Sequence, residues 1–142
     1  MIFLPNIAMR QIIIDAEKSY PKEACGLLWG KWCEADVHVA SAHRSENRAQ
    51  DPQTKFEINP QLRFDLERLA REGEKDVVGV YHSHPKGPAR PSKVDLSRAW
   101  ETALIWIIVA VEAGKAVEQK AYKVEIPKER FVEIDIQLVT SQ

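Results

Sequence analysis

The sequence predicts one domain of the mixed α/β class. Three observations predict it. Two segments carry apolar residues three or four apart, the mark of amphipathic helices. Two apolar runs, "DVVGVYHSH" and "LIWIIVAV", are short, uninterrupted and rich in β-branched residues, as strands buried on both faces are. Helical and strand patterns also alternate along the chain instead of segregating. The 142 residues are the length of a single domain. No internal repeat, low-complexity stretch or linker divides residues 1–142.

The elements follow in order. A first helix is predicted from about Asn6 to Tyr20, with Met9, Ile12, Ile13, Ala16 and Tyr20 on its apolar stripe. "ACGLLWGK" and "DVHVASA" are read as two paired strands, with His38 half-buried in the second. "HRSENRAQDPQTKFE" is polar and aperiodic and is read as one long loop, with His43 on its surface. A second helix is predicted to begin with Asn59 as its cap and Pro60 in the first helical position. Leu62, Leu66 and Leu69 give it a face to bury, and Gly73 is its expected stop. "DVVGVYHSH" is the next strand. A third helix is expected from about Ser92. "LIWIIVAV" is the strand expected to lie deepest. "AYKVEI" and "FVEIDIQLV" alternate apolar and polar residues and are each read as a strand with one solvated face.

Composition removes several function classes. Hydrophobic residues make up 44% and charged residues 29% of the chain, and the formal net charge is -1. No cluster of Lys or Arg stands out, so nucleic-acid binding has no electrostatic footprint. The longest apolar run, Leu104 to Val111, falls far short of the ~20 residues a membrane-spanning helix needs. "MIFLPNIAMR" lacks the basic stretch and cleavage site of a secretory signal. Cys25 and Cys33 form no C-x-x-C pair, so free thiols and a cytoplasmic location are expected. Cys25 reads as a small core residue.

The chemistry concentrates in "YHSHPKGPARPSKVD", Tyr81 to Asp95. His82 and His84 stand at i and i+2 at the end of a strand, so both imidazoles leave the same face. Open α/β sheets place their ligands at that carboxyl end. Ser92 and Asp95 lie one helical turn apart, and the loop between can bring them over the strand end. Two imidazoles and a carboxylate are three good zinc ligands, which leaves an open position for water. A plainer explanation covers part of this: serine followed three residues later by an acid is also a helix capping box. That accounts for Ser92 and Asp95 but not for the H-x-H just before them.

The pattern H-x-H-x(7)-S-x-x-D, preceded by a glutamate in "PKEACGLLWG", resembles the signature of the JAMM metalloproteases, also called MPN-plus or Mov34/PAD-1. Glu23, His82, His84, Ser92 and Asp95 match it, and the order of elements matches over nearly the whole chain. The resemblance implies a cytidine-deaminase-like α/β/α sandwich. It implies one zinc per chain, held by His82, His84 and Asp95. It assigns Glu23 as general base for a zinc-activated water and Ser92 as hydrogen-bond donor to that water or to the developing oxyanion. It also implies a substrate: the amide bond after the C-terminal glycine of a small β-grasp protein, ubiquitin-like or sulfur-carrier. The segment after Asp95 has room for a helix and three strands but for no large insertion, which resembles the compact prokaryotic members. The substrate tail is expected to be narrow and to lie along a strand edge beside the zinc, with loop 43–57 as a candidate wall. Two other classes stand beside this one. A non-catalytic MPN scaffold would bind partners, but such members lose motif residues that this chain keeps. A nucleobase deaminase of the same fold needs H-x-E and P-C-x-x-C blocks, and neither is present. The protein partner, the leaving group and the oligomeric state are left open by the sequence.

Overall fold

The structure is a computed structural model that describes residues 1–93, 95, 103–125 and 130–140. Eight strands form one mixed sheet, and two helices are described. The chain runs β1 (Ile2–Pro5), α1 (Asn6–Ser19), β2 (Cys25–Cys33), β3 (Asp36–Ser45), α2 (Pro60–Ala70), β4 (Asp76–His84), β5 (Ile105–Glu112), β6 (Lys115–Glu125), β7 (Arg130–Ile134) and β8 (Ile136–Val139). The strand order is β7-β6-β5-β4-β2-β3-β1-β8. β4 runs parallel to β5, and β1 runs parallel to both β3 and β8; the remaining pairs are antiparallel. The third helix expected from Ser92 falls mostly outside the described residues; Lys93 and Asp95, which are described, are helical.

"FVEIDIQLV" is two strands, not the single one expected. β7 pairs with β6 at one end of the sheet, and β8 pairs with β1 at the other. Only Asp135 separates them, so the two ends of the sheet stand within about two Cα steps of each other. The sheet therefore curls almost closed. Its concave side wraps α1, which packs against β1, β3, β4, β5, β6 and β8. The alternation of the segment carried no sign of this, because both strands keep the same period. The expectation also lacked β1. Four residues at the terminus become a strand only through their pairing with β3 and β8.

Two apolar cores lie on the two faces. One joins Ala8, Met9, Ile12 and Ala16 of α1 to Leu28, Val78, Ile105, Ile107 and Val109. The other joins Leu66 of α2 to Leu27, Val80, Trp106 and Ile108. Each fully buried Leu or Ile contributes about 1.5–3 kcal/mol. Tyr20 falls outside the α1 stripe and is 39% exposed. α2 is capped as expected, Asn59 Oδ1 accepting from the Gln61 amide. It ends at Ala70, short of Gly73, and its Leu69 is 54% exposed. The expected loop starts later than read: β3 runs to Ser45 and carries His43, whose ring bonds Ser41 at 2.8 Å. His38 is exposed rather than half-buried and stacks on Phe3 with ring centroids 4.6 Å apart.

α1 is locked to the sheet by a buried carboxylate. Asp15 accepts from Tyr81 Oη at 2.7 Å and Arg44 Nε at 3.0 Å. Pairing is what makes a buried charge tolerable. A Cβ at Gly26 would run into the Tyr81 ring and the His43 carbonyl, so only glycine leaves that ring its place.

Both cysteines are unpaired; Cys25 is buried and Cys33 exposed. Burial pushes the Cys25 thiol up to about 12, so almost none of it is the reactive thiolate at neutral pH. A maleimide should therefore label the native chain once, at Cys33, and label it twice only in denaturant. Intact mass reads both states, and rapid native labelling of Cys25 would contradict the packing of β2.

Candidate metal centre

β4 is buried along its length after Asp76, and alternation along it sends neighbouring side chains to opposite faces. Tyr81 and Ser83 point toward α1, and His82 and His84 point the other way. The two imidazole Nε2 atoms lie 3.0 Å apart. Asp95 reaches both: Oδ1 lies 3.2 Å from His82 Nε2 and Oδ2 3.2 Å from His84 Nε2. His82, His84 and Asp95 are all buried.

The helix-start reading and the metal reading of "SKVD" turn out to be one geometry. Asp95 N donates to Ser92 Oγ at 3.0 Å, and Ser92 N donates to Asp95 Oδ2 at 2.8 Å, a reciprocal capping box. The box is what aims the Asp95 carboxylate at the imidazoles. Ser92 is exposed, and its hydroxyl, while accepting from Asp95, keeps its own hydrogen for another acceptor.

The rings are oriented differently. His84 Nδ1 donates to the Pro88 carbonyl at 2.9 Å. With Nδ1 committed to Pro88, Nε2 is the nitrogen that faces inward; it donates to Asp95 when protonated and offers a lone pair to a metal when not. Gly87, at φ 108°, supplies the left-handed turn that brings the carbonyl back, and Tyr122 Oη holds the same loop through the Ala89 carbonyl at 2.7 Å. His82 Nδ1 is buried with no hydrogen-bond partner among the described residues. Its ring is held by packing instead. Phe56 stacks on it at 4.4 Å, and Trp106 meets it edge-on at 5.5 Å.

Glu23 completes the group. One carboxylate oxygen of Glu23 and one nitrogen of each histidine lie within 4.8 Å of one another. Glu23 is itself buried. Strand register puts it there: Cys25 pairs with His82, Ala24 N donates to Ser83 Oγ at 2.7 Å, and Ser83 N donates to the Ala24 carbonyl at 3.0 Å. The serine between the histidines thus latches β4 to the residue beside Glu23.

Electrostatics favour a cation at the convergence point. Burial acts to raise the Asp95 carboxyl, but the hydrogen bonds from His82 and His84 outweigh it and hold the group well below the usual carboxylate range. Burial lowers His82. Burial also opposes charge on His84, yet its bonds to Asp95 and Pro88 leave it raised on balance. An ionised carboxylate and inward-facing imidazole nitrogens form a donor set that fits a divalent metal of the zinc type.

A cleft of about 880 Å³ opens between the C-terminal end of α1 and the strands. It is lined by Asp15, Tyr20, Arg44 and Tyr81 and reaches the site at Glu23. Among the described residues β2 and β5 both pair with β4 over Gly79–His82, and at His84 β5 alone pairs with it. Loop 43–57 does border the site, through Phe56.

All five residues singled out in the sequence are thus brought to one place. Three more were missed. Ser83 and Trp106 carried no signal of their own. Phe56, the one aromatic residue in a polar stretch, was a signal: an apolar residue in a loop usually has something to pack against.

Residues 5–125 match the family model described as prokaryotic homologs of the JAB domain. A desampylase of Haloferax volcanii is 33% identical over 62% of this chain and 62% of its own length. A protein of Thermus thermophilus, named a probable TtuB-protein conjugate cleaving protease, is 32% identical over 70% of this chain and 64% of its own. The chain thus matches somewhat less than two thirds of each relative. A Desulfitobacterium hafniense protein solved in solution superposes with a TM-score of 0.85 at 30% identity, covering 99% of this chain and 94% of the other.

Proposed function

The chain belongs to the family of prokaryotic JAB-domain homologues, and from that premise we propose that it is a zinc-dependent peptidase or isopeptidase. Its substrate is the amide bond after the C-terminal glycine of a small β-grasp protein, of ubiquitin-like or sulfur-carrier type. The observation that carries this reading is the approach of the Asp95 carboxylate to within 3.2 Å of both inward-facing histidine nitrogens, with Glu23 beside them. His82, His84 and Asp95 are the metal ligands. Bound zinc supplies Lewis acidity, which polarises a carbonyl and acidifies water.

The remaining work falls to the chain's own residues. Glu23 accepts a proton from the attacking water and returns it to the leaving nitrogen. Its burial limits competing water around the carboxylate and strengthens the interaction. Ser92 Oγ, held by the Asp95 amide, donates its hydrogen to the oxyanion. Phe56 and Trp106 hold the His82 ring, and Pro88 holds that of His84. No described helix is long and apolar enough to cross a membrane. The unpaired thiols suit a cytoplasmic site of action.

The test uses a β-grasp carrier ending in Gly-Gly and extended by one amino acid. Zinc-loaded protein should remove that residue, read as a loss in intact mass. Replacing the last glycine by leucine should block the cut, because the tail must pass a narrow approach to buried ligands. Equal rates with leucine would argue for a broader peptidase. A chain that binds the carrier but leaves it and its lysine-linked conjugates intact would be a scaffold.

A further inference from the structure

Glu23 must present its carboxylate to the histidines, yet it lies outside every regular element. Its main chain is held by the loop that follows β3. Glu23 N donates to the Pro52 carbonyl at 2.7 Å, and the Glu23 carbonyl accepts from Asn47 Nδ2 at 3.0 Å. Both backbone groups of the residue end on that loop.

The loop closes on the Asn47 side chain. Nδ2 also donates to the Lys55 carbonyl at 2.9 Å and approaches that of Pro52 at 3.4 Å. Oδ1 accepts from the amides of Ala49 at 3.0 Å and Glu57 at 3.1 Å. The amide thereby uses both hydrogens and both lone pairs. The base of the loop is shut by the Asn47–Ile58 bridge and by Arg48 N donating to Glu57 O at 3.0 Å. Phe56 leaves this frame to stack on His82. A polar loop has little core of its own, so the side chain that satisfies its backbone sets its shape. Aspartate has the same outline but no hydrogen to donate to three carbonyls.

We propose that Asn47 is a positioning residue for the hydrolytic site. It sets the main chain of Glu23 and, through the same loop, the ring that braces His82, while touching neither metal nor substrate. This rests on the hydrolase reading above.

The experiment compares zinc-loaded full-length chain with Asn47→Ala and Asn47→Asp, using the extended Gly-Gly carrier as probe. The turnover number should fall by about 10- to 10²-fold in both, the usual consequence of misplacing a catalytic group. KM should change little, and zinc should be retained. In a Glu23→Gln background, Asn47→Ala should cause no further loss, since residues that act as one unit are not additive. Hydrogen exchange gives a readout apart from activity. The amides of Glu23, Ala49 and Glu57 should exchange at least about tenfold faster in Asn47→Ala, while those of β5 keep their protection. Unchanged turnover, loss of zinc, or an equal proportional loss in the Glu23→Gln background would each overturn the proposal. If the unmutated chain leaves the probe intact, the hydrolase reading falls. The exchange data then decide alone: faster exchange sustains Asn47 as the anchor of Glu23, and unaltered exchange removes it.

Discussion

Glu23→Gln should slow hydrolysis by about 10² to 10⁴, the usual contribution of a positioned general base, or about 2.7–5.4 kcal/mol of transition-state stabilisation. The substitution keeps the outline of a buried side chain and the backbone bonds to Pro52 and Asn47. What it removes is the proton acceptor. Zinc content should hold, because the proposed ligands are His82, His84 and Asp95, and the carrier should still bind. The variant ought therefore to trap its substrate in a pull-down. Zinc lost from Glu23→Gln would make the glutamate a ligand. Hydrolysis at the unmutated rate would assign the base to another group.

His84→Ala should empty the site. The unmutated chain should carry close to one zinc, and the variant should retain less than about a tenth of that, since two protein ligands compete poorly with water. The change also frees the Pro88 carbonyl and leaves Asp95 with one imidazole. A thermal readout follows. Metal at about a hundredfold excess over its Kd stabilises the folded chain by about 2.7 kcal/mol, which for a chain this size is about 5–11 °C in Tm. A chelator should lower the Tm of the unmutated chain by that amount and leave His84→Ala unmoved. An unmutated chain without zinc after refolding with the metal would end the hydrolase reading.

Much of the site was legible because its signals are local. Alternation along a strand puts His82 and His84 on one face whatever surrounds them. The spacing from Ser92 to Asp95 forms a capping box from backbone geometry alone, and that box aims the carboxylate. Glu23 is different. Nothing in "PKEACGLL" by itself says that the glutamate is buried beside two imidazoles nearly sixty residues further on, and only the family resemblance pointed to it. Phe56 could have been suspected from its polar neighbours. Asn47 could not, since an asparagine in a polar loop is ordinary until five backbone partners surround it.

The sequence by itself determined most of the element types and set two imidazoles and a carboxylate together as candidate metal donors, because helix period, strand period and capping act within a few residues. Tertiary structure alone decided where those donors meet Glu23. That depends on the pairing of Cys25 with His82 and on the Ser83 latch to Ala24, contacts 59 residues apart in the latter case. It also decided that "FVEIDIQLV" splits at Asp135 to join both ends of the sheet. The physical reason is the same in both. A period of two records which face a side chain takes, but it is blind to which strand lies alongside; register and closure come from hydrogen bonds and packing summed over distant partners.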